Sequence, residues 1–492
     1  MRFKTTPFPH QLADLEASKD RVACGYFHEP GLGKTKLAID GAVHLLDNKK
    51  VNAVLVVAPN GVHRNWASRE MPKHTPQDIL DASTIFCWST ASASTKRHAG
   101  QAERLLATTT TATANIPWLF VSYDALMTEA CVAYVRRFFK RYDALFIADE
   151  SHFVKNPGAA RTKRCLAASL HAPYRRILTG TPIDKSPFDA YAQLKFLSQD
   201  VWRSIGCDNF LAFKNHFGTW EQGFNRGTGQ QYRSLTGFKN LGVLQRILSE
   251  WGYRRTKDIL DLPPKLYTRR YFTLGPKARK AYDALSTDYL AELSGGVLTA
   301  ELTISRMVRF QQATSGYLPT DEDATKVALD LPNPRIGALL DCLLELAPSS
   351  RKAIVWAKYD EDCTRLAEAF EKEAISFVRY DGSVTAEQRH ANLERFQSDP
   401  GVRVFLSKTS VGGTGLTIVE ASAHIFYNVS FGRYGERRQA EDRSHRPGQK
   451  AENVLYVDIV AEDTIDEHIL ENLLESHDIA TFLNRDTVRT WF

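Results

Sequence analysis

The sequence predicts an α/β protein of two lobes, each built on a parallel sheet, with a mainly helical insert between them. Two observations carry that reading. Short apolar runs rich in β-branched residues recur at 53–58, 118–121, 145–148, 176–178, 353–357, 402–406, 425–427 and 454–459. Most show little polar alternation, the mark of strands covered on both faces. Longer stretches of helical pattern lie between them, as at 362–373 and 386–396, and strands alternating with helices build parallel sheets. The runs cluster at about 20–182 and about 350–460, so the expected division is residues 1–190 for the first lobe, 191–345 for the insert, 346–475 for the second lobe and 476–492 for a tail. The stretch 89–115, rich in alanine, serine and threonine with a polar cluster at 96–104, reads as a loop or irregular insertion.

Composition sets the outer bounds. A chain of 492 residues suits about three domain equivalents at roughly 150 residues each, long enough to bury several cores without a metal or disulfide staple. The formal net charge of +6 permits nucleic-acid binding without demanding it. The seven cysteines are scattered and never in a Cys-x-x-Cys pair, which argues against a disulfide framework or zinc ribbon and for a reducing compartment. Residues 1–20 hold no signal-peptide core, and the longest apolar runs are far shorter than a membrane span. The expectation is a soluble protein without membrane contact, cytoplasmic in a bacterial or phage-infected cell and nuclear in a eukaryote.

Three segments of the first lobe point to nucleotide chemistry. Gly31-Leu32-Gly33-Lys34-Thr35 opens a helical run at 36–46. A glycine loop there aims backbone N–H groups at phosphate oxygens, at the positive end of a helix. Lys34 would reach the β- and γ-phosphates, and Thr35 would hold magnesium through its hydroxyl. Asp149 and Glu150 follow a buried strand. Asp149 suits a magnesium ion, and Glu150 suits the orientation and deprotonation of an attacking water. Thr179-Gly180-Thr181 ends another short strand, where small hydroxyl residues suit sensing of a γ-phosphate. Ligands of open α/β sheets gather beyond the carboxyl ends of the strands, and all three segments lie there.

In the second lobe, 439–449 places Arg443 and Arg446 three residues apart, which on a helix puts both guanidinium groups on one face. Such arginines neutralise charge on a transferring phosphoryl group, an effect worth roughly 10³–10⁵ in rate. The loop 407–416, rich in glycine and hydroxyls, offers backbone amides to nucleic-acid phosphates at Ser410, Gly412 and Gly413, and Gly415 can approach the nucleotide. The aromatic and basic stretch 213–239 reads as a protrusion packed on its lobe, with phosphate contact through Arg226 and Arg233 as the alternative.

Taken in order, these residues resemble the Snf (sucrose-non-fermenting) family of DNA translocases in helicase superfamily two. The resemblance runs over about residues 5–475. It is carried by Phe8-Pro9-His10-Gln11, the 31–35 loop, Ala58-Pro59 through Trp66, Ser122-Tyr123-Asp124, Asp149 through His152, Leu178 through Pro182, Tyr380-Asp381-Gly382-Ser383, 412–416 and 439–449. Arg254-Arg255-Thr256-Lys257-Asp258 with Leu262-Pro263-Pro264-Lys265 resembles the marker that separates this family from other helicases. The resemblance implies two RecA-like lobes with helical protrusions, and ATP and magnesium as cofactors. It implies adenine recognition by Gln11, a nucleotide contact at Gln439, and DNA-backbone contacts at Ser122, Tyr123 and Lys358. It further implies a monomeric, duplex-DNA-stimulated ATPase that tracks along double-stranded DNA and acts on proteins bound there. A strand-separating helicase is the alternative within the enzyme class, and a hydrolysis-deficient DNA- or host-factor-binding protein the alternative outside it. The chain departs from the family pattern at His28-Glu29-Pro30, where the family has aspartate, glutamate and methionine, and at Ser430-Phe431-Gly432-Arg433-Tyr434. With little beyond the motor motifs, it is expected to be a minimal bacterial- or phage-type member.

Overall fold

Every residue of Ala53–Ala58 and Ala144–Asp149 is apolar apart from the terminal aspartate, and every one is buried. The computed structural model describes residues 1–109, 115–184, 186–224, 231–294, 300–319, 326–349, 351–409, 416–428 and 434–471, and the chain divides into two compact units after Ile259. The first unit holds β1 (Ala23–His28), β2 (Ala53–Ala58), β3 (Ser83–Cys87), β4 (Ile116–Ser122), β5 (Ala144–Asp149), β6 (Tyr174–Leu178), the hairpin β7 (Gly218–Phe224) and β8 (Gln231–Phe238), and β9 (Gly252–Arg255). All but the hairpin form one sheet of order β3-β4-β2-β5-β6-β1-β9 in which every pairing is parallel.

The lack of polar alternation has a direct cause. Leu55, Val57, Leu119, Val121 and Phe146 face one core, while Val54, Val56, Phe120, Leu145 and Ile147 face a second core on the other side of the sheet. Successive side chains point to opposite faces, so a sheet covered by crossover helices on both sides must be apolar at every position. One of those helices, Lys34–Asp47, joins β1 to β2 and buries Leu37, Ile39, Val43 and Leu46.

The second unit repeats the plan. It contains β10 (Lys265–Phe272), the short pair β11 (Tyr317–Pro319) and β12 (Lys326–Ala328), β13 (Lys352–Ala357), β14 (Phe377–Tyr380), β15 (Val404–Lys408), β16 (Ala421–Phe426) and β17 (Val454–Ala461). Its all-parallel sheet has the order β10-β17-β16-β13-β15-β14. Val355, Leu406 and Ile425 face one core, and Ile354, Trp356 and Phe405 the other.

Two features differ from the sequence reading. The stretch 191–345, expected as one mainly helical insert, also supplies a strand to each sheet: β9 flanks β1, and β10 flanks β17. The first unit therefore runs past residue 190 to Ile259. Gly252-Tyr253-Arg254-Arg255 gives no apolar signal because it is an edge strand, and its glycine is there for contact: a Cβ on Gly252 would lie 2.2 Å from the Phe27 ring. The polar cluster in 89–115 is a helix, Lys96–Ala107, rather than an irregular insertion. Thr95 caps it by accepting the His98 N–H, and His98, Ala102 and Leu105 form its buried stripe. Among the described residues, no helix is long and apolar enough to cross a membrane.

Candidate functional site

The glycine loop follows β1, the acid pair spans the end of β5 with Asp149 its last residue, and the Thr179 segment follows β6; these three strands are neighbours in the sheet. Gly31 and Gly33 have φ of +92° and +75°, the left-handed region that side chains rarely adopt. Gly33 caps the helix Lys34–Asp47 without any side-chain bond. The first N–H groups of a helix have no partner within it, so this end suits an anion. Gln11 lies under the loop. Its Oε1 accepts the Phe8 N–H at 2.8 Å, and its Nε2 donates to the carbonyls of Leu32 at 3.2 Å and Gly33 at 3.4 Å. Lys34 is buried and donates to the His28 carbonyl at 2.7 Å. Thr35 is half-buried on the first turn.

Asp149 is held from two sides. The Trp66 indole N–H donates to Oδ2 at 2.8 Å, and the Glu150 backbone N–H donates to Oδ1 at 2.9 Å. Burial, then the adjacent Glu150 charge, push the Asp149 carboxyl up to about 7. A buried carboxylate short of positive charge suits a divalent cation, which would reverse that shift. Glu150 has φ of +50°, a strained conformation for a residue other than glycine. Its Oε2 lies 3.3 Å from Nδ1 of His152, whose ring is also 3.5 Å from the Thr179 hydroxyl. Gly180 closes the third segment onto the loop, since a Cβ there would lie 2.8 Å from Pro30. Trp66 was quoted among the family matches without a role. It stands 83 residues before its partner and follows a helical turn that runs into a single π-helical turn, Trp66–Glu70, a distortion common at functional sites.

At His28-Glu29-Pro30 the structure shows what the departure from the family pattern packs against. His28 is wholly buried, with Nε2 2.9 Å from Oδ2 of Asp14. Arg255 binds the same carboxylate, with Nε at 3.2 and 3.0 Å from its two oxygens and Nη2 at 2.6 Å. Burial pushes His28 down to about 4, so its ring is neutral at pH 7. For Asp14 the upward push of burial is outweighed by the bonds to His28 and Arg255, and its pKa falls.

The second unit corrects the reading of the arginines. They are not on one helical face: the helix Tyr434–Glu441 ends before them, and 442–448 runs as turns and bends. Pro447, and Gly448 with φ of +101°, prevent continuation. Arg443 is buried and donates from Nη1 to the Leu416 carbonyl at 3.2 Å. Arg446 donates from Nε to the Asp442 carbonyl at 2.9 Å and from Nη1 to Thr417 Oγ1 at 2.6 Å. Below them lies a network of charge. Lys265 Nζ is 2.8 Å from Glu441 Oε2 and 3.8 Å from Asp442 Oδ1, and Arg437 binds Glu441 at 2.9 Å and Asp458 with both of its Nη groups. Against burial, Lys265 and Arg437 hold Glu441 down to about 2. His424 accepts the Trp356 indole N–H at Nδ1, so its Nε2–H faces Ser444 Oγ, 2.5 Å away; burial pushes it down to about 3.

Two of the DNA contacts implied by resemblance are corrected. Tyr123 is buried and its hydroxyl donates to the Asp149 carbonyl at 2.8 Å. Ser122 is buried and its Oγ accepts the Ala125 N–H in a local turn. Both hydroxyls are turned inward to fix strand ends, so neither is presented to a phosphate. Lys358 is half-buried with its ammonium on Gln311 Oε1, and Gln439 is half-buried on the helix Tyr434–Glu441. Ser410, Gly412, Gly413 and Gly415 lie outside the described residues, as does Arg226. Arg233 lies over the Trp220 ring at 5.4 Å.

Comparison with known proteins gives two family matches, an SNF2-related domain over residues 15–315 and a helicase conserved C-terminal domain over residues 335–448. An "Uncharacterized ATP-dependent helicase" of Mycoplasma pneumoniae is 25% identical over 464 residues, covering 92% of this chain and 39% of that protein. The "DNA annealing helicase and endonuclease ZRANB3" of Mus musculus is 30% identical over 336 residues, covering 65% of this chain and 28% of that protein. The chain thus spans well under half the length of these relatives. Among solved structures, the "Sulfolobus solfataricus SWI2/SNF2 ATPase core in complex with dsDNA" matches with a TM-score of 0.41 at 20% identity, covering 97% of this chain and 92% of that one.

Proposed function

This chain belongs to the SNF2-related family, and from that premise we propose that it is a motor whose ATP hydrolysis is stimulated by double-stranded DNA and drives movement along it. The observation that carries the reading is the convergence of the glycine loop, the acid pair and the Thr179 segment at the carboxyl ends of three adjacent strands, β1, β5 and β6.

In this reading the 31–33 backbone and the open end of the helix Lys34–Asp47 cradle the phosphates. Lys34 leaves the His28 carbonyl for the β- and γ-phosphates. Thr35 and Asp149 hold a magnesium ion, which neutralises phosphate charge when bound. Glu150 orients the attacking water and takes its proton, with His152 fixing the carboxylate beside Thr179. Arg443 and Arg446 support turnover rather than nucleotide binding, the role the family resemblance gives them.

ATP turnover of the full chain, measured with and without duplex DNA, tests this. At least a tenfold rise with duplex is expected, by analogy with arginine-assisted phosphoryl transfer, whose gains are roughly 10³ or more. No stimulation by duplex, single-stranded, forked or RNA substrates would overturn it. A triplex-displacement signal without strand separation is the expected mark of movement along intact duplex.

A further inference from the structure

The segment 254–265 is bound at one end to the phosphate loop and at the other to the arginine-bearing turn. At its first end, β9 pairs with β1 so that Arg255 lies opposite His28. The Glu29 N–H donates to the Arg255 carbonyl, and Glu29 Oε2 accepts the Lys257 N–H, each at 3.0 Å. The Arg255 guanidinium grips Asp14, Asp14 meets the His28 ring, and the His28 carbonyl receives the Lys34 ammonium. Three short contacts thus run from Arg255 to the lysine of the loop.

At the second end, the Pro263 carbonyl accepts Nε2–H of His445 at 2.9 Å, and the Pro264 carbonyl accepts the Val454 N–H at 3.0 Å. Lys265 pairs with Glu441 and Asp442, and the Asp442 carbonyl receives Nε–H of Arg446. Two contacts run from Lys265 to an arginine of the turn. Only residues 258–262 lie between the two attachments.

We propose that 254–265 is a tether whose ends are each built into a catalytic motif: Arg255 is the positioning residue for Lys34 and its loop, and Lys265 the positioning residue for the turn that carries Arg443 and Arg446. The roles of Lys34 and the arginines rest on the function proposed above; the attachment of the tether does not. Each end acts on its own motif, so the two substitutions separate. Arg255 governs how the loop receives nucleotide, and Lys265 governs turnover once nucleotide is bound. A half-buried cation that served only the stability of its unit would affect the whole unit evenly instead.

The full chain and its Arg255→Met, Lys265→Met, Lys265→Arg and Tyr267→Phe variants are compared by amide hydrogen exchange without ligand, by titration with a fluorescent ATP analogue, and by ATP turnover with duplex DNA. Lys265→Met is expected to speed exchange about tenfold within 437–449 and leave 28–36 unchanged. It should lower kcat about tenfold while analogue affinity stays within about twofold, and Lys265→Arg should restore most of the loss. Tyr267→Phe removes the second donor to Oε2 of Glu441 without uncovering a charge, and should move the same peptides less. Arg255→Met is expected to speed exchange within 28–36 and weaken the analogue about fivefold, with 437–449 unchanged. Acceleration spread evenly over the substituted residue's own unit, or no change in its peptide, overturns the tether, as does loss of the same parameter in both Met variants. A parent chain that hydrolyses no ATP overturns the proposed function alone, and the exchange patterns still decide the tether.

Discussion

The glycine loop of the first unit and the arginine-bearing turn of the second differ in what holds them. The loop is shaped by backbone: two glycines at positive φ, a strand end and a helix start that follow one another in sequence. The turn is shaped by side-chain charge brought from afar, with Lys265 reaching Glu441 across 176 positions and Arg437 reaching Asp458 across 21. The difference teaches where each site is vulnerable. At the first, the side chains placed to meet the nucleotide can be removed with loss of chemistry and little loss of fold, while the Arg255–Asp14–His28 contacts brace the loop from behind. Side chains beneath the second cannot, because each leaves another charge buried without its partner.

Four tests press on that contrast. The largest effect belongs to Lys34→Ala and Glu150→Gln. Each is expected to lower turnover by roughly 10²–10⁴, with Glu150→Gln retaining nucleotide affinity and both unfolding near the parent's denaturant midpoint. Collapse of stability in either would remove the contrast. Next comes Arg437→Ala, which strands Asp458 in the second unit and leaves Glu441 with Lys265 as its cation. It should cost about 3–5 kcal/mol of that unit's stability, read from denaturant unfolding; a loss under about 1 kcal/mol breaks the comparison from the other side.

Third is the pH response. His28 and His424 are pushed by burial down to about 4 and about 3, while the unfolded imidazole takes its proton near its ordinary value of about 6.5. Their contribution is full above pH 6.5 and drains away as pH falls toward 4, at up to about 1.4 kcal/mol per pH unit for each proton taken up only on unfolding. Thermal unfolding across pH 7 to 4.5 should show the decline, and His28→Asn should flatten it for the first unit. An unchanged slope in that variant shows His28 protonates as readily folded as unfolded. The smallest effect is Trp66→Phe, which deletes one N–H from Asp149. A hydrogen bond to a charged group is worth about 1.5–3 kcal/mol, so turnover should fall about 10- to 100-fold. Rates within twofold of the parent would leave Asp149 positioned by the Glu150 N–H alone.

The same contrast explains what could be read from the chain. β2, β4 and β5 were plain because both faces of the sheet are covered and no position is free to be polar. β1 and β9 were harder. Gly25 and His28 interrupt the first, and the second carries Arg254 and also Arg255, whose partner Asp14 lies on another element. Lys34, Asp149 and Glu150 were picked out by their place at strand ends. Trp66 and Asp14 were not, since nothing local marks an indole or a carboxylate whose partner is a distant side chain. Tyr123 was misread for the opposite reason. A hydroxyl beside a strand end looks available, and only packing shows it spent on the Asp149 carbonyl.

By itself, then, the sequence determined two parallel α/β units and the glycine loop with its acid pair and hydroxyl segment, because periodicity and backbone preference act over a few residues and leave a local trace. The tertiary structure alone decided that the arginines sit on turns rather than one helical face, that Ser122 and Tyr123 face inward, and that 254–265 joins both sheets. Those outcomes depend on which charges are buried together. Burial of a charge is settled by partners far along the chain, whose pairing no short window of sequence contains.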